Sequence, residues 1–157
     1  MLITEEDIVT LPEGDPGKAL EKLKAMIGLG ALKQSIVQHL SYVYFIRERQ
    51  KHGFDDTLPP LNMIFSGNPG TGKMTVAKMM GEIYHSVGIL LRPNVTVQDG
   101  RQLTGDGGLT PQQGAEVLMN GAAGGILYID HADVLPRSEW GLALFEALLS
   151  NLSTGRI

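Results

Sequence analysis

The sequence predicts an α/β domain, a three-layer sandwich in which a parallel β-sheet lies between layers of helices. Three short runs, 61–65, 95–97 and 126–129, are apolar or β-branched, as buried strands are. Helical patterns, with apolar residues spaced by three and four, lie between and around these runs. Strands that alternate with helices in this way are typical of a parallel sheet, in which helices connect one strand to the next.

Two helices are expected ahead of the first strand. Residues 1–14 are expected to be a mobile lead-in, and residues 15–157 to form one domain. The first helix runs to about Ile27, because Asp15 can cap it and Pro16 can open it. A second, longer helix begins near residue 31 and ends near residue 53. Its apolar positions are Ile36, Val37, Leu40, Val43 and Tyr44.

A glycine-rich loop follows the first expected strand. Its residues are Gly67, Asn68, Pro69, Gly70, Thr71, Gly72 and Lys73. The loop matches the phosphate-binding P-loop (Walker A motif), in which glycines let backbone N–H groups face an anion and the next helix adds its positive end. Lys73 would reach the terminal phosphates of a nucleotide. A Gly/Pro-rich surface turn is the alternative, but the order of strand, loop and helix favours the P-loop. The apolar positions of that helix are Val76, Met79, Met80, Ile83, Tyr84 and Val87.

The residue after the P-loop lysine departs from the motif. The full motif ends in Ser or Thr, whose hydroxyl binds Mg²⁺, whereas this chain has Met74. A thioether is a poor ligand for so hard a cation. Thr75 carries a hydroxyl, but one step along a helix turns a side chain by roughly 100°. We therefore expect weakened magnesium binding at this end of the loop.

The third expected strand ends in a carboxylate. The apolar run Ile126–Ile129 is followed by Asp130, at the carboxyl end of the strand, where ligands bind in open parallel sheets. Downstream of a P-loop, such an Asp holds magnesium directly or through water. The remaining expectations are an exposed glycine-rich loop over 100–114 and helices over about 112–120 and 138–149.

Composition excludes several classes of function. The chain has 157 residues and a net charge of −4, without a dense Lys/Arg cluster, so we do not expect a nucleic-acid partner. It has no cysteine, which excludes disulfide scaffolds and cysteine-based sites. Its four histidines show no metal-ligand spacing. With no signal peptide and no membrane-spanning run, we expect no membrane partner and an intracellular location, in the cytoplasm or another compartment.

Several blocks of the chain, in order, resemble the CbxX/CfqX branch of AAA+ ATPases, the branch of rubisco-activase-like proteins and stage V sporulation protein K. The matching blocks are Ala25–Lys33, Asn62–Lys78, Gly81–Tyr84, Gly88–Leu90 and Ala123–Leu135. The resemblance implies the P-loop NTPase fold of the large AAA+ subdomain. It also implies ATP-driven remodelling of a client protein by a ring of subunits whose central pore loops grip the client.

The same resemblance implies roles for particular residues. Ile27 and Gly28 would lie near the adenine, and Asp130 would lie at magnesium. The phosphates would contact the segment from Gly67 to Thr75, which includes Lys73 and Met74. The expected cofactors are ATP or ADP, with magnesium binding weakened.

Three features depart from the family pattern. Where this chain has Met74, the family has Thr. Where this chain has His131, the family has a Glu that polarises the attacking water. A histidine can accept a proton, but its ring differs from a carboxylate in length and geometry. Asp133 is a displaced carboxylate, or simply a solvated loop residue. The pore-loop stretch Leu103–Pro111 carries no aromatic residue with which to grip a client.

The carboxyl end of the chain resembles the entry to a further strand, at residues 155–157. In the family this strand lies between the P-loop strand and the Asp130 strand, so the sheet is expected to be incomplete on the C-terminal side. The lid and last strands of the family are expected to be absent. Two explanations stay open: the chain is a fragment, or a neighbouring strand or second chain fills the gap.

Together these features favour a degenerate AAA+ nucleotide-binding domain, a pseudo-ATPase with a regulatory or structural role. We expect an oligomer, formed with copies of itself or with an active AAA+ paralogue, and a protein client. One alternative is an active ATPase with a rewired site, which uses Thr75 or water for magnesium and His131 or Asp133 for the attacking water. A second alternative is a protein-interaction module that does not bind nucleotide.

Overall fold

The computed structural model describes residues 21, 25, 30–58, 60–105 and 107–153, with side chains as far as residue 151. The lead-in, most of the helix expected over 15–27 together with Ile27 and Gly28, and the strand entry at 155–157 lie outside the described residues. Glu21 and Ala25, within the expected helix, are described and are helical. The chain divides into two compact units, Met1–Val87 and Gly88–Ile157. None of the described helices is both long and apolar enough to cross a membrane.

The first unit contains two described long helices, α1 (Gly30–Lys51) and α2 (Lys73–Ser86). Both confirm the predicted apolar spacing, since one face of each is buried. In α1 the buried residues are Ile36, Leu40, Val43 and Ile46. In α2 they are Val76, Ala77, Met79, Met80, Gly81, Ile83 and Tyr84. The pattern missed Ile46, and it placed Val37 and Tyr44 on the buried face although both are only half-buried.

One polar pair joins these two helices. Nε2 of His39 on α1 lies 2.7 Å from the hydroxyl oxygen of Tyr84 on α2. Burial lowers the pKa of His39 and raises the pKa of Tyr84, because it disfavours the charged form of each side chain. Both groups are therefore neutral near pH 7 and hydrogen-bonded to each other.

The strand predicted over 61–65 is wrong. This run has no regular secondary structure, and Ile64 is 92% exposed. A strand is held by hydrogen bonds to a neighbouring strand and by burial of its side chains. Among the described residues no strand pairs with this run. An apolar sequence alone does not replace that partner.

The second unit is built on two parallel strands, β1 (Val95–Asp99) and β2 (Ile126–Asp130). Val95 pairs with Ile126, and the register ends with Asp99 beside Asp130. Helix α3 (Pro111–Ala122) lies between the strands in sequence, and helix α4 (Glu139–Ser153) follows β2. The predicted α/β class with a parallel sheet is confirmed.

The loop predicted over 100–114 is shorter than expected. A 3₁₀ turn covers Gly100–Gln102, and α3 already begins at Pro111. The reason is local capping: the Thr110 side chain accepts a hydrogen bond from the backbone of Gln113, whose side chain binds back to Thr110. A second 3₁₀ segment, Ala132–Arg137, joins β2 to α4.

The core of the second unit lies between α3, α4 and the sheet. Its buried residues are Ala115, Leu135, Leu144 and Leu148. Trp140, the single tryptophan of the chain, packs at the edge of this core, and its indole N–H donates to the carbonyl of Leu109 at 3.0 Å. Leu127 and Ile129 of β2 also pack against this core.

Candidate functional site

The P-loop adopts a backbone that requires glycine. Gly70 and Gly72 have φ values of 76° and 85°, and Gly67 has a φ of 152°. Side chains with a Cβ are strained in this left-handed region. The three glycines therefore allow the loop to turn tightly ahead of α2, as a phosphate cradle requires.

Lys73 folds back over this loop. Its ammonium group donates to the carbonyl oxygens of Gly67 at 3.0 Å and Asn68 at 2.9 Å. The hydroxyl of Thr71 donates to the carbonyl of Asn68 at 2.8 Å. The positive charge of Lys73 thus lies against the first residues of the loop. In P-loop proteins the lysine at this position reaches the terminal phosphates of a nucleotide.

The start of α2 fits a phosphate group. The N-cap residue is Gly72, and no side chain of the described residues caps this end of the helix. The first-turn N–H groups and the positive end of the helix dipole therefore suit an anion.

The same site lacks the hydroxyl group that binds magnesium in the full motif. The motif position holds Met74, which is half-buried, and the neighbouring Thr75 is exposed. A thioether cannot replace an oxygen ligand of Mg²⁺. The loop therefore suits an anion but lacks the hydroxyl that the full motif offers to the metal.

A second group of side chains lies at the carboxyl edge of β1 and β2. The backbone N–H of His131 donates to Oδ1 of Asp130 at 3.1 Å. The ring Nδ1 of His131 lies 3.5 Å from Oδ2 of Asp130 and 3.7 Å from Oδ1 of Asp99. His131 has a φ of 51°, and no other described non-glycine residue has a positive φ. The imidazole of this left-handed residue thus lies within 4 Å of both carboxylates.

Asp99 is bound by the neighbouring Arg101. The Arg101 Nε donates to both carboxylate oxygens, at 3.0 and 3.1 Å, and Nη2 donates to Oδ2 at 2.6 Å. The backbone N–H of Arg101 adds a bond to Oδ1 at 3.0 Å. These hydrogen bonds from Arg101 lower the pKa of Asp99 to about 2. Asp99 is therefore fully ionised at neutral pH.

The predicted site residues fall into two groups in the structure. The P-loop lies in the first unit, whereas Asp130 and His131 come together in the second. Asp133 is separate from them in its bonding, since its carboxylate accepts from Nη2 of Arg137 at 2.7 Å. Sequence reasoning missed Asp99 and Arg101. The signal that could have found Asp99 is that both parallel strands end in aspartate.

The region at the expected pore loop is held by Trp140. Besides the bond to Leu109, the indole ring packs against Gly105. A Cβ added at Gly105 would lie 2.7 Å from atoms of this ring. A side chain at position 105 would therefore collide with the indole. The sequence of the stretch 103–111 contains no aromatic residue.

No family model matches the chain. It is similar to protein CfxQ of Xanthobacter flavus, with 36% identity over 138 residues, which are 85% of this chain and 43% of that protein. Protein CbbX of Cereibacter sphaeroides is 35% identical over 160 aligned positions, covering 98% of this chain and 52% of CbbX. The chloroplastic ribulose bisphosphate carboxylase/oxygenase activase of Cyanidioschyzon merolae is 34% identical over 138 residues, 85% of this chain and 47% of the activase.

The chain spans about half the length of the curated relatives that it matches. The similarity includes the P-loop and the strand that ends in Asp130, since it covers most of the chain. Over the part of these proteins that it spans, the chain belongs to the CbxX/CfqX branch of the AAA+ proteins.

Proposed function

We propose that this chain is a degenerate AAA+ nucleotide-binding domain, a pseudo-ATPase that holds ATP or ADP without turning it over at a useful rate. The observation that carries the proposal is the contrast within the P-loop. Its glycine backbone and Lys73 suit phosphates, whereas Met74 replaces the magnesium ligand. Binding and hydrolysis thus depend on different residues, and only those for binding are intact.

The proposed nucleotide contacts are the residues Gly67 to Thr75, with Ile27 and Gly28 at the adenine. Asp130 is the proposed weak magnesium ligand. His131 stands at the catalytic glutamate position of the family and is expected to be inactive there. When bound, magnesium would neutralise phosphate charge; we expect the chain to bind nucleotide largely without that help.

We propose a regulatory or structural role in an oligomeric assembly. AAA+ proteins typically oligomerise, and one relative is named as an activase of ribulose bisphosphate carboxylase/oxygenase. For this chain we propose assembly with copies of itself or with an active AAA+ paralogue, and a protein client. The domain would correspond to residues 15–157. The stretch 103–111 offers little apolar surface for gripping, so a partner subunit would supply that grip.

A second candidate function rests on His131. Its Nδ1 lies within 4 Å of the carboxylates of both Asp99 and Asp130, which can orient the imidazole ring. In a rewired ATPase this ring would accept a proton from the attacking water. The candidate predicts measurable hydrolysis that is lost in His131→Ala.

The two functions are separated by steady-state ATP hydrolysis and nucleotide binding in matched variants. For the pseudo-ATPase we expect turnover at background in the natural sequence. Lys73→Ala should weaken nucleotide binding about 10- to 100-fold, since a charged hydrogen bond contributes about 1.5–3 kcal/mol. Lys78→Ala, an exposed lysine one turn and a half further along α2, is the matched control.

Restoration gives the complementary test. Met74→Thr with His131→Glu should bring back magnesium dependence of binding, and turnover only where partner subunits supply the remaining elements. Steady hydrolysis by the natural sequence, abolished in Lys73→Ala, would contradict the pseudo-ATPase and support the rewired ATPase.

A further inference from the structure

Two carboxylates meet at the carboxyl edge of the sheet. Asp99 and Asp130 are paired in register, and both lie within 4 Å of Nδ1 of His131. Two negative charges at one edge of the sheet repel each other, and a nearby cation offsets that repulsion. A metal ion is only one way to supply such a counter-charge.

Arg101 supplies a permanent positive charge at this edge. Its side chain donates three hydrogen bonds to the Asp99 carboxylate and its backbone N–H donates a fourth, which hold the guanidinium beside Asp99. The bonds to Asp99 raise the pKa of Arg101, and the nearby charge of Asp130 raises it further. Both carboxylates therefore act on the same cation.

The donor set that remains is a poor one for magnesium. Both oxygens of Asp99 accept from Arg101, which leaves Asp130 as the carboxylate at the edge not bound to a guanidinium. Within the described ranges no group of three or more His, Cys, Asp or Glu side chains could hold a metal ion. A divalent cation at Asp130 would also be repelled by the guanidinium that Asp99, its register partner, holds at the same edge.

We infer that Arg101, held in place by Asp99, is the resident counter-charge of Asp130 and disfavours a divalent cation at this edge. The inference deepens the proposed function, because it gives a second cause for nucleotide binding that depends little on magnesium. It rests on that proposal only in assigning the metal position of the family to Asp130. Arg101 is thus a positioning residue, acting through charge on Asp130.

The test is a titration with Mn²⁺ alone, without nucleotide, in which free Mn²⁺ is measured by electron paramagnetic resonance. Removing the charge in Arg101→Gln should tighten Mn²⁺ binding about tenfold, which corresponds to about 1.4 kcal/mol of lost repulsion between the guanidinium and the ion. Arg101→Lys, which keeps the charge, should bind Mn²⁺ as the natural sequence does.

The matched control is Arg137→Gln. Arg137 is also exposed, at 72% against 60% for Arg101, and it also pairs with a carboxylate, that of Asp133. It should leave Mn²⁺ affinity unchanged. Adding Asp130→Asn to Arg101→Gln should remove the gained affinity, which places the ion at Asp130.

Equal Mn²⁺ affinity in Arg101→Gln and the natural sequence would overturn the inference, as would an equal gain in Arg137→Gln or a gain that survives Asp130→Asn. Fluorescence of Trp140, in the same unit, verifies that each variant is folded. Nucleotide binding by the P-loop is measured separately, so its failure would count against the proposed function and not against the role of Arg101.

Discussion

At the residue scale, the edge of the sheet depends on one glycine. A Cβ on Gly100 would lie 2.6 Å from the carbonyl oxygen of His131 and 3.1 Å from that of Asp130. These are backbone atoms, which cannot turn away as the end of a side chain can. Gly100 therefore allows the chain after β1 to pass close to the chain after β2, and it keeps Asp99 beside His131.

Gly100→Ala should lower the free energy of unfolding by about 1–3 kcal/mol, the usual effect of overpacking. The measurement is urea unfolding followed by Trp140 fluorescence. The control is Gly121→Ala, at a helix position where a Cβ has nothing within 4 Å. It should be neutral or stabilising by up to about 1 kcal/mol. Equal stability of the two variants would show that the strand ends are not in close contact.

At the element scale, helices and strands were predicted correctly where the pattern that specifies them lies within one segment of the sequence. The helices α1, α2 and α4 were predictable because apolar spacing is written along one segment. Strand β1 was predicted too short, because its last residues, Gln98 and Asp99, are polar. The run 61–65 was assigned wrongly, since its local composition suits a strand but pairing depends on a distant segment.

The contact between His39 on α1 and Tyr84 on α2 should make the stability of the fold depend on pH. The pKa of His39 is lowered by burial, so the folded protein binds fewer protons than the unfolded chain below the usual value of 6.5. Its contribution to stability is complete above pH 6.5 and is lost as the pH falls through the lowered pKa. The urea midpoint, followed by helical circular dichroism, should therefore decrease between pH 7.5 and 5.5.

His39→Gln should flatten this pH dependence, because glutamine does not titrate and can still bond to Tyr84. His52→Gln, a change at an exposed histidine just after α1, should behave as the natural sequence does. An identical decrease in His39→Gln would mean that another group causes the loss of stability.

At the scale of the whole molecule, the residues of the candidate site also fall into those that the sequence indicated and those that only the structure brought together. The proposed phosphate-binding loop and Asp130 could be proposed from the sequence because each belongs to a contiguous motif. Asp99 and Arg101 were not, because they join the site only through the register of β1 against β2, strands separated by a helix. The chemistry at that edge is thus set by pairing between segments, which no single segment reveals.

We propose that the molecule binds nucleotide through its glycine-rich loop, with little dependence on magnesium. Calorimetric titration with ATP and ADP, each with and without Mg²⁺, tests it most directly. We predict binding of both nucleotides whose Kd changes by less than about threefold on adding Mg²⁺, under 1 kcal/mol. Binding that requires Mg²⁺, or no binding of either nucleotide, would show that the loop does not bind nucleotide in this way.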